Sequence, residues 1–502
     1  MSSNPNARKA KSNPIAWINL FLLAIIVITL NFIAGREYMR RDLTEDHRFT
    51  ISERTINVLS SERIQKHETP IRVIFAFQRS TQNYARMYSL LEEYKRYGKE
   101  KIEVECIDPL RQPNRAREIS QIYGIDFNQN LCVVDARSNP NVALKTFEEE
   151  RSERQHVRVR PGASFIKYQT LPDESKRAVA LMMDDVLCSA ITEAVEGELR
   201  RMYVVEGKGG VSRDNSELLD LLGEITSSLN IELAWLNTAD IDSIPADAKG
   251  LFIVSPQTDF TESEMYVINE FWQREGRHSV LVALDSQQTN LPRLYRFLRE
   301  NGIRPNMDRV LLRDRTRAYY DISAVFPKGL NCTRSFWNNT TNIEGQSMSL
   351  SLEFGDENAA SLRKLHAYPL LMSTDKYYGE TRTGLTPSFT AEEDFAGPLT
   401  LGAAITQGDT KDPNNISTML VLGSTHMLTT KNARTEQRDY LRTLFAWMSN
   451  RPEYAGKSAN EDLTMKIDLN RHSQNMLEYL TLIFMPFSAL LMAFIIWNTR
   501  RH

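Results

Sequence analysis

The residues best placed to do chemistry lie on three turns, each between an apolar run and an amphipathic one. Glu206-Gly-Lys-Gly-Gly210 follows residues 202–205, Ser255-Pro-Gln-Thr258 follows residues 251–254, and Asp285-Ser-Gln-Gln288 follows residues 279–284. A hydrolase or amidotransferase on such strand-to-helix turns needs a nucleophile there and a base within reach. None of the three turns carries Cys, and Gly-x-Ser-x-Gly is absent from the chain. Ser255 and Ser286 have no obvious His partner in sequence. His426, in Gly423-Ser-Thr-His426, follows another apolar run and reads as a structural polar residue at a strand end. The polar groups Glu206, Lys208, Asp214, Ser255, Gln257, Asp285 and Gln287 are candidates to line a ligand site. Loop solvation and helix capping are the plainer account of the same residues. No catalytic residue is assigned.

Two glycine-rich stretches invite comparison with phosphate-binding loops. Gly207-Lys-Gly-Gly210 lies between a strand and a helix, but its spacing fits neither Gly-x-Gly-x-x-Gly nor the P-loop; a tight turn needing free backbone is the expectation. Gly456-Lys-Ser458 resembles the tail of a P-loop, yet Arg451 stands where the loop's first glycine belongs. Nucleotide binding is not expected at either. The 8 histidines are scattered and the 4 cysteines form no Cys-x-x-Cys pair, so no metal and no cofactor is expected. Cys106 and Cys132 read as small core residues rather than reactive thiols. A net charge of −3, with both signs mixed along the chain, argues against a dedicated nucleic-acid binder.

The elements that must position these residues fall into an α/β pattern. Residues 36–180 carry a strand at 71–77, a helix ending at Gly98, a strand at 102–106, a helix ending at Gly124 and a strand at 131–134. This is an α/β unit of thioredoxin-like size without the redox motif. Ser52 is a plausible N-cap before it, and a further strand is expected at 163–168. Residues 181–450 open with a helix at 184–197 and continue as repeated strand–helix units, which predict a doubly wound parallel sheet with ligands beyond the carboxyl ends of its strands. Thr261-Glu-Ser-Glu264 is a capping box within it. From about 310 to 410 the pattern becomes β-rich; Met348, Leu350, Leu352 and Phe354 alternate as in a half-buried strand. Residues 451–478 read as a polar linker.

Two apolar runs flank this body. Residues 15–34 contain no charge over about 20 positions, enough to cross a bilayer's hydrocarbon core. A cleaved signal peptide is disfavoured, because Phe32 occupies a position where cleavage needs a small residue. Residues 479–497 form the second run, with Pro486 as a kink. Arg500-Arg501 then favours cytoplasmic tails at 1–14 and 498–502, which places the body in the periplasm of a bacterial inner membrane protein. Asn19, Thr29 and Asn31 within the first run bond either to neighbouring helices or to their own helix backbone.

The layout resembles the GldG-like auxiliary components of ABC-2 type transporters, a family associated with gliding motility. The resemblance rests on DLTEDHRFTISERTINVLSS after the first apolar run, LLEEYKRYGKEKIEVECIDP, the junction SAITEAVEGELRRMYVVEGKGG, FIVSPQTDFTESEMYVINEFWQREGR and the last apolar run ending in Arg-Arg. It implies a thioredoxin-like first domain and a second domain similar to class I glutamine amidotransferases without their nucleophile. It also implies an ABC-2 permease and a separate ABC ATPase as partners. One departure is Gly207-Lys-Gly-Gly210, where family members often show Gly-His-Gly-Glu. The expectation is a non-catalytic accessory subunit that contacts membrane lipid and binds a surface polymer or protein ligand, but no nucleic acid. A membrane-tethered hydrolase and a pure scaffold are the alternatives. The first needs Ser255, Ser286 or His426 to converge; the second needs the strand-end crevice to be filled by the protein itself.

Overall fold

A computed structural model describes residues 19, 21–29, 50–144, 151–170, 176–197, 199–213, 217–286, 290–313, 321–382, 387–409, 415–429, 435–457 and 486–487. The chain forms two compact units, Met1–Thr50 and Ile51–His502. In the first, residues 21–29 are helical with exposed side chains. Thr29 Oγ1 donates to the Ile25 carbonyl at 2.8 Å, so the hydroxyl is satisfied by its own helix. The rest of the expected span 15–34, and all of 479–497 except Pro486 and Phe487, lie outside the described residues. Among the described residues no helix is long and apolar enough to cross a membrane.

The second unit is a mixed α/β structure built on two main sheets. Helix α1 (Glu53–Leu59) starts at Ser52, whose hydroxyl accepts from the Thr55 amide. The first sheet has the order β2-β1-β3-β4, from β1 (Ile71–Ala76), β2 (Ile102–Ile107), β3 (Leu131–Asp135) and β4 (Val157–Pro161). Strands β1 and β2 are parallel, while β3 runs antiparallel to β1. The near-continuous apolar run of β1 reflects burial on both faces. Val73 and Phe75 pack with Leu91 of α2 (Tyr84–Gly98), and Ile74 packs with Ile119 of α3 (Pro113–Tyr123). The strand expected at 163–168 is corrected: Gly162–Phe165 is a 3-10 turn and the strand begins at Ile166. Phe165 is fully buried against the rings of Phe75 and Phe77, and that packing sets the turn.

The second sheet contains five parallel strands in the order β10-β8-β7-β5-β6. They are β5 (Arg200–Glu206), β6 (Ile231–Asn237), β7 (Ala248–Val254), β8 (Ser279–Ala283) and β10 (Ser417–Leu422). Helices α5 (Glu217–Ser228) and α6 (Glu262–Gln273) belong to the crossovers; the predicted capping box at Thr261 and Glu264 is present with both of its bonds. The chain moves outward from β5 to β6, then returns to the other side of β5 for β7. The strand order therefore reverses between β5 and β7. Strand β9 (Thr400–Gln407) runs antiparallel to β10 and carries the sheet into the β-rich insertion. The expected alternating strand at 348–354 shrinks to Leu350–Leu352. Around it the backbone changes partners, since Met348 N donates to Gly423 O and Glu353 N to Gly302 O.

One helix joins the two sheets. Helix α4 (Met183–Glu196) presents Asp184 and Asp185 in its first turn. Asp184 accepts from the Ser52 amide, the Thr55 hydroxyl and the Tyr94 hydroxyl at 2.9–3.2 Å. Asp185 pairs with Arg54 of α1 and, at 3.3 Å, with Arg442 of α7 (Thr435–Met448). Burial raises the Asp185 carboxyl, but the Arg442 and Arg54 charges outweigh it and hold the carboxyl well below the usual range. The four cysteines are unpaired. Burial pushes the Cys132 thiol up to about 12 and the Cys188 thiol up to about 11, in keeping with core packing rather than reactivity.

Candidate functional site

The reversal between β5 and β7 is where a doubly wound sheet offers a ligand crevice. Two of the three predicted turns meet there, and they close on each other. The amides of Gln257 and Thr258 both donate to the Lys208 carbonyl, at 2.7 and 3.1 Å. Gly210 lies so close to the neighbouring turn that a Cβ would stand 2.1 Å from the Ser255 carbonyl oxygen. Gly207 and Gly209 have φ of 84° and 75°. Conformation and close approach thus account for Gly207-Lys-Gly-Gly210 as a tight turn.

The candidate side chains at this crossing bond to the protein itself. Lys208 Nζ donates to Glu264 Oε2 at 2.6 Å and lies 4.8 Å from the centre of the Phe260 ring. Glu264 also accepts from the Thr238 hydroxyl at 2.9 Å and from the Thr261 amide at 2.7 Å. Burial raises the Glu264 carboxyl, and the bonds from Lys208, Thr261 and Thr238 more than offset it, leaving it below its ordinary value. Glu206 takes both ends of the Arg213 guanidinium at 3.0 and 3.2 Å. Sequence reasoning assigned Glu264 only to the capping box; its second role as counter-ion to Lys208 comes from a contact 56 residues away in sequence.

Ser255 has φ of 48°, in the left-handed region, and is 5 % exposed. Its hydroxyl and carbonyl both accept from the Gln257 side-chain amide at 3.0 Å. Asp285 is half-buried at the end of β8, beside Ser286, whose hydroxyl donates to Gln346 Oε1 at 3.0 Å. His426 packs its ring against Gly345, and its amide donates to Ser424 Oγ. Ser286 and His426 therefore border the same 345–346 turn. Among the described residues, neither the Ser255 nor the Ser286 hydroxyl bonds to an imidazole. Asp214 and Gln287 lie outside the described residues.

At the opposite, amino-terminal ends of β5, β6 and β7 a hollow of about 1650 Å³ opens toward the first sheet. Arg158, Arg200, Arg201, Glu196 and Asp247 are among its lining residues. Sequence reasoning did not anticipate it, because it is assembled from segments far apart in the chain. Much of its charge is internally matched. Arg158 pairs with Glu193 at 3.0 Å, Arg201 with Glu232 and Asp247, and Arg200 donates to the Ser449 carbonyl at the end of α7. No cluster of three or more metal-ligating side chains occurs among the described residues.

Residues 45–147 match a family model described as a domain of unknown function, DUF7088. No curated protein matches the sequence. Among solved structures, the mmIFT52 N-terminal domain is similar over 50% of this chain and 97% of its own, with 16% identity and a TM-score of 0.34. A putative GMP synthase protein from Thermoplasma acidophilum shares 10% identity over 51% of this chain and 97% of its own, with a TM-score of 0.28. A glutamine amidotransferase from Thermotoga maritima shares 13% identity over 50% of this chain and 99% of its own, also at 0.28. The sheets and helices described above make the chain a mixed α/β protein, and the solved structures resemble it only at these low TM-scores.

Proposed function

We propose that the chain is a non-catalytic accessory subunit of an ABC-2 type transporter. Apolar segments 15–34 and 479–497 would anchor it in a bacterial inner membrane, with the body outside and an ABC-2 permease and a separate ABC ATPase as partners. On this reading the first sheet belongs to a thioredoxin-like domain and the second to an amidotransferase-like domain that has lost its chemistry. The observation that carries the non-catalytic part is the closure of the strand-end crossing. Lys208 is engaged by Glu264, and the 206–210 and 255–258 turns are bonded to each other. A body closed in this way favours contact through its surface, as a partner-binding subunit or as the pure scaffold, over a small molecule in the crevice. The transporter part is supported by the two flanking apolar segments and the family resemblance. Purification of the tagged full-length protein in mild detergent, with mass spectrometry of what accompanies it, tests this. A multi-span permease together with an ATPase bearing a complete P-loop is the expected result. The protein recovered alone, under conditions that keep other membrane complexes intact, refutes it.

One observation favours a tethered hydrolase. Ser255 holds a left-handed backbone at a strand end, and a sharp, strained strand-end turn is where α/β hydrolases carry their nucleophile. Stoichiometric labelling of Ser255 by a fluorophosphonate would establish that reading. On the accessory-subunit proposal Ser255 stays unlabelled.

A further inference from the structure

The helix Pro292–Glu300 follows the turn after β8 and has Pro292 at its first position. Its first turn is capped from a distance: Asp259 accepts from the amides of Arg293 and Leu294 at 3.0 and 3.3 Å. Leu294, Phe297 and Leu298 are buried, which leaves Arg296 and Arg299, three positions apart, as exposed neighbours. The next strand, Ile303–Pro305, pairs with Leu350–Leu352 and carries Arg304. Phe395 comes from the β-rich insertion, on the short strand Phe395–Ala396.

These segments enclose a hollow of about 490 Å³. Its charged lining residues are Arg296, Arg299 and Arg304, and no carboxylate among the described residues lines it. Pro292, Tyr295, Pro305, Met307 and Phe395 supply apolar surface. Met307 is 49 % exposed and has φ of 54°, an uncommon backbone for a side chain of its size. Arg304 is balanced by Glu353 at 2.6 Å. Arg296 and Arg299 have no ion pair among the described residues. Arg293, one turn earlier, pairs with Asp259 at 3.7 Å and does not line the hollow. An exposed arginine on a helix is by itself a solvating group. The setting here differs: the chain carries a net charge of −3, and the large hollow beside the first sheet is lined by both signs. This one gathers three guanidiniums and no carboxylate.

We infer that this hollow binds a phosphate monoester carried on a ring-bearing small molecule. Two guanidiniums without ion pairs balance a dianion, and their forked donors match phosphate oxygens. A carboxylate would leave one of the two unmatched. A phosphate monoester has its second pKa near 6, so it is the dianion at neutral pH. The Tyr295 and Phe395 rings and Met307 offer the ring of the ligand an apolar surface. The volume lies in the range of small-molecule sites. The hollow is separate from the closed crossing of β5 and β7, and its occupancy does not depend on the transporter proposal.

The test titrates the full-length protein in detergent micelles with phenyl phosphate at pH 7.5, by isothermal calorimetry. Saturable binding with a Kd of about 0.1 to 1 mM is expected, ordinary for a ligand of about a dozen heavy atoms. Benzenesulfonate, a monoanion of similar shape, should bind about tenfold more weakly. Inorganic phosphate, which lacks the ring, should also bind about tenfold more weakly. Arg296→Gln and Arg299→Gln should each weaken phenyl phosphate about tenfold. Phe395→Ala should weaken phenyl phosphate about fivefold and leave inorganic phosphate unchanged. Arg293→Gln should change neither, which separates the hollow from the general charge of the helix. The three arginines are exposed, so the fold tolerates these changes, and circular dichroism checks it. Absence of saturation by phenyl phosphate at about 10 mM overturns the inference. So does equal binding of benzenesulfonate, or a loss in Arg293→Gln as large as in Arg296→Gln. If dihexanoyl phosphatidate saturates where phenyl phosphate does not, the arginines serve a lipid headgroup and the small-molecule inference is overturned.

Discussion

Replacing Asp185 with Asn keeps the shape of the joint between the two sheets and removes its central charge. Arg54 and Arg442 would then face each other with side chains only 4 % and 7 % exposed. Breaking a buried ion pair by removing one partner costs about 3–5 kcal/mol, because the remaining charge is left unmatched. Asp439, 3.6 Å from Arg442, offsets part of this, and the Asp185 side chain is itself 14 % exposed. A loss of about 3 kcal/mol is therefore expected. With an unfolding entropy of about 2 cal/mol/K per residue over a body of roughly 400 residues, that corresponds to a fall in Tm of about 4 °C if the body unfolds as one unit. The effect has a definite pH dependence. The folded carboxyl is depressed, so its contribution is present above the ordinary carboxylate pKa and is lost as pH falls through and below that range. Scanning calorimetry at pH 7.5 and at pH 3 should show a clear gap between wild type and D185N at the higher pH and a smaller one at the lower. A difference under about 1 kcal/mol at pH 7.5, or one that does not change with pH, refutes the assignment of Asp185 as the joint's electrostatic centre. The triple variant Arg54→Met, Asp185→Leu, Arg442→Met should recover most of the loss, since apolar replacements of a buried ion group are often neutral.

Asp308 behaves in the opposite sense. Burial pushes its carboxyl up to about 6 despite bonds from the Ser349 amide and hydroxyl. The unfolded chain ionises first, so stability should fall as pH rises from about 4 to 6; Asp308→Asn should flatten that slope and raise Tm at pH 7.5 by calorimetry. Gly210→Ala places a Cβ 2.1 Å from the Ser255 carbonyl oxygen and should destabilise by more than about 3 kcal/mol in urea unfolding, a backbone clash that no rotamer change relieves. Lys208→Met strands the buried Glu264 carboxylate and should cost about 1–3 kcal/mol at pH 7.5; Lys208→Met with Glu264→Gln should cost less than the single change if the pair is structural.

Part of this arrangement was legible in the residues alone. Ser52 and Thr261 cap helices because a short hydroxyl side chain accepts from the free amides of a first turn, and that is a local property. The parallel strands were legible because burial on both faces requires unbroken apolar runs, as at β7 and β8. The spacing of the β-rich region was less informative. Alternation at 348–354 signals a half-buried extended segment but not how many of its residues find a ladder partner, and only Leu350–Leu352 do.

The candidate site divides along the same line. The chain determined by itself which polar residues follow the strands, that they include no cysteine nucleophile, and that three glycines free the backbone after β5. Only the tertiary structure decided that these turns close on each other and that Lys208 is claimed by Glu264. It alone placed Asp184 and Asp185 against residues about 130 positions away, and left β2 at an open edge beside α2. The physical reason is range. Capping, turn geometry and strand or helix periodicity act between residues a few positions apart and can be read along the chain, whereas charge pairing, close backbone approach and an unmatched sheet edge depend on which distant segments the core brings together.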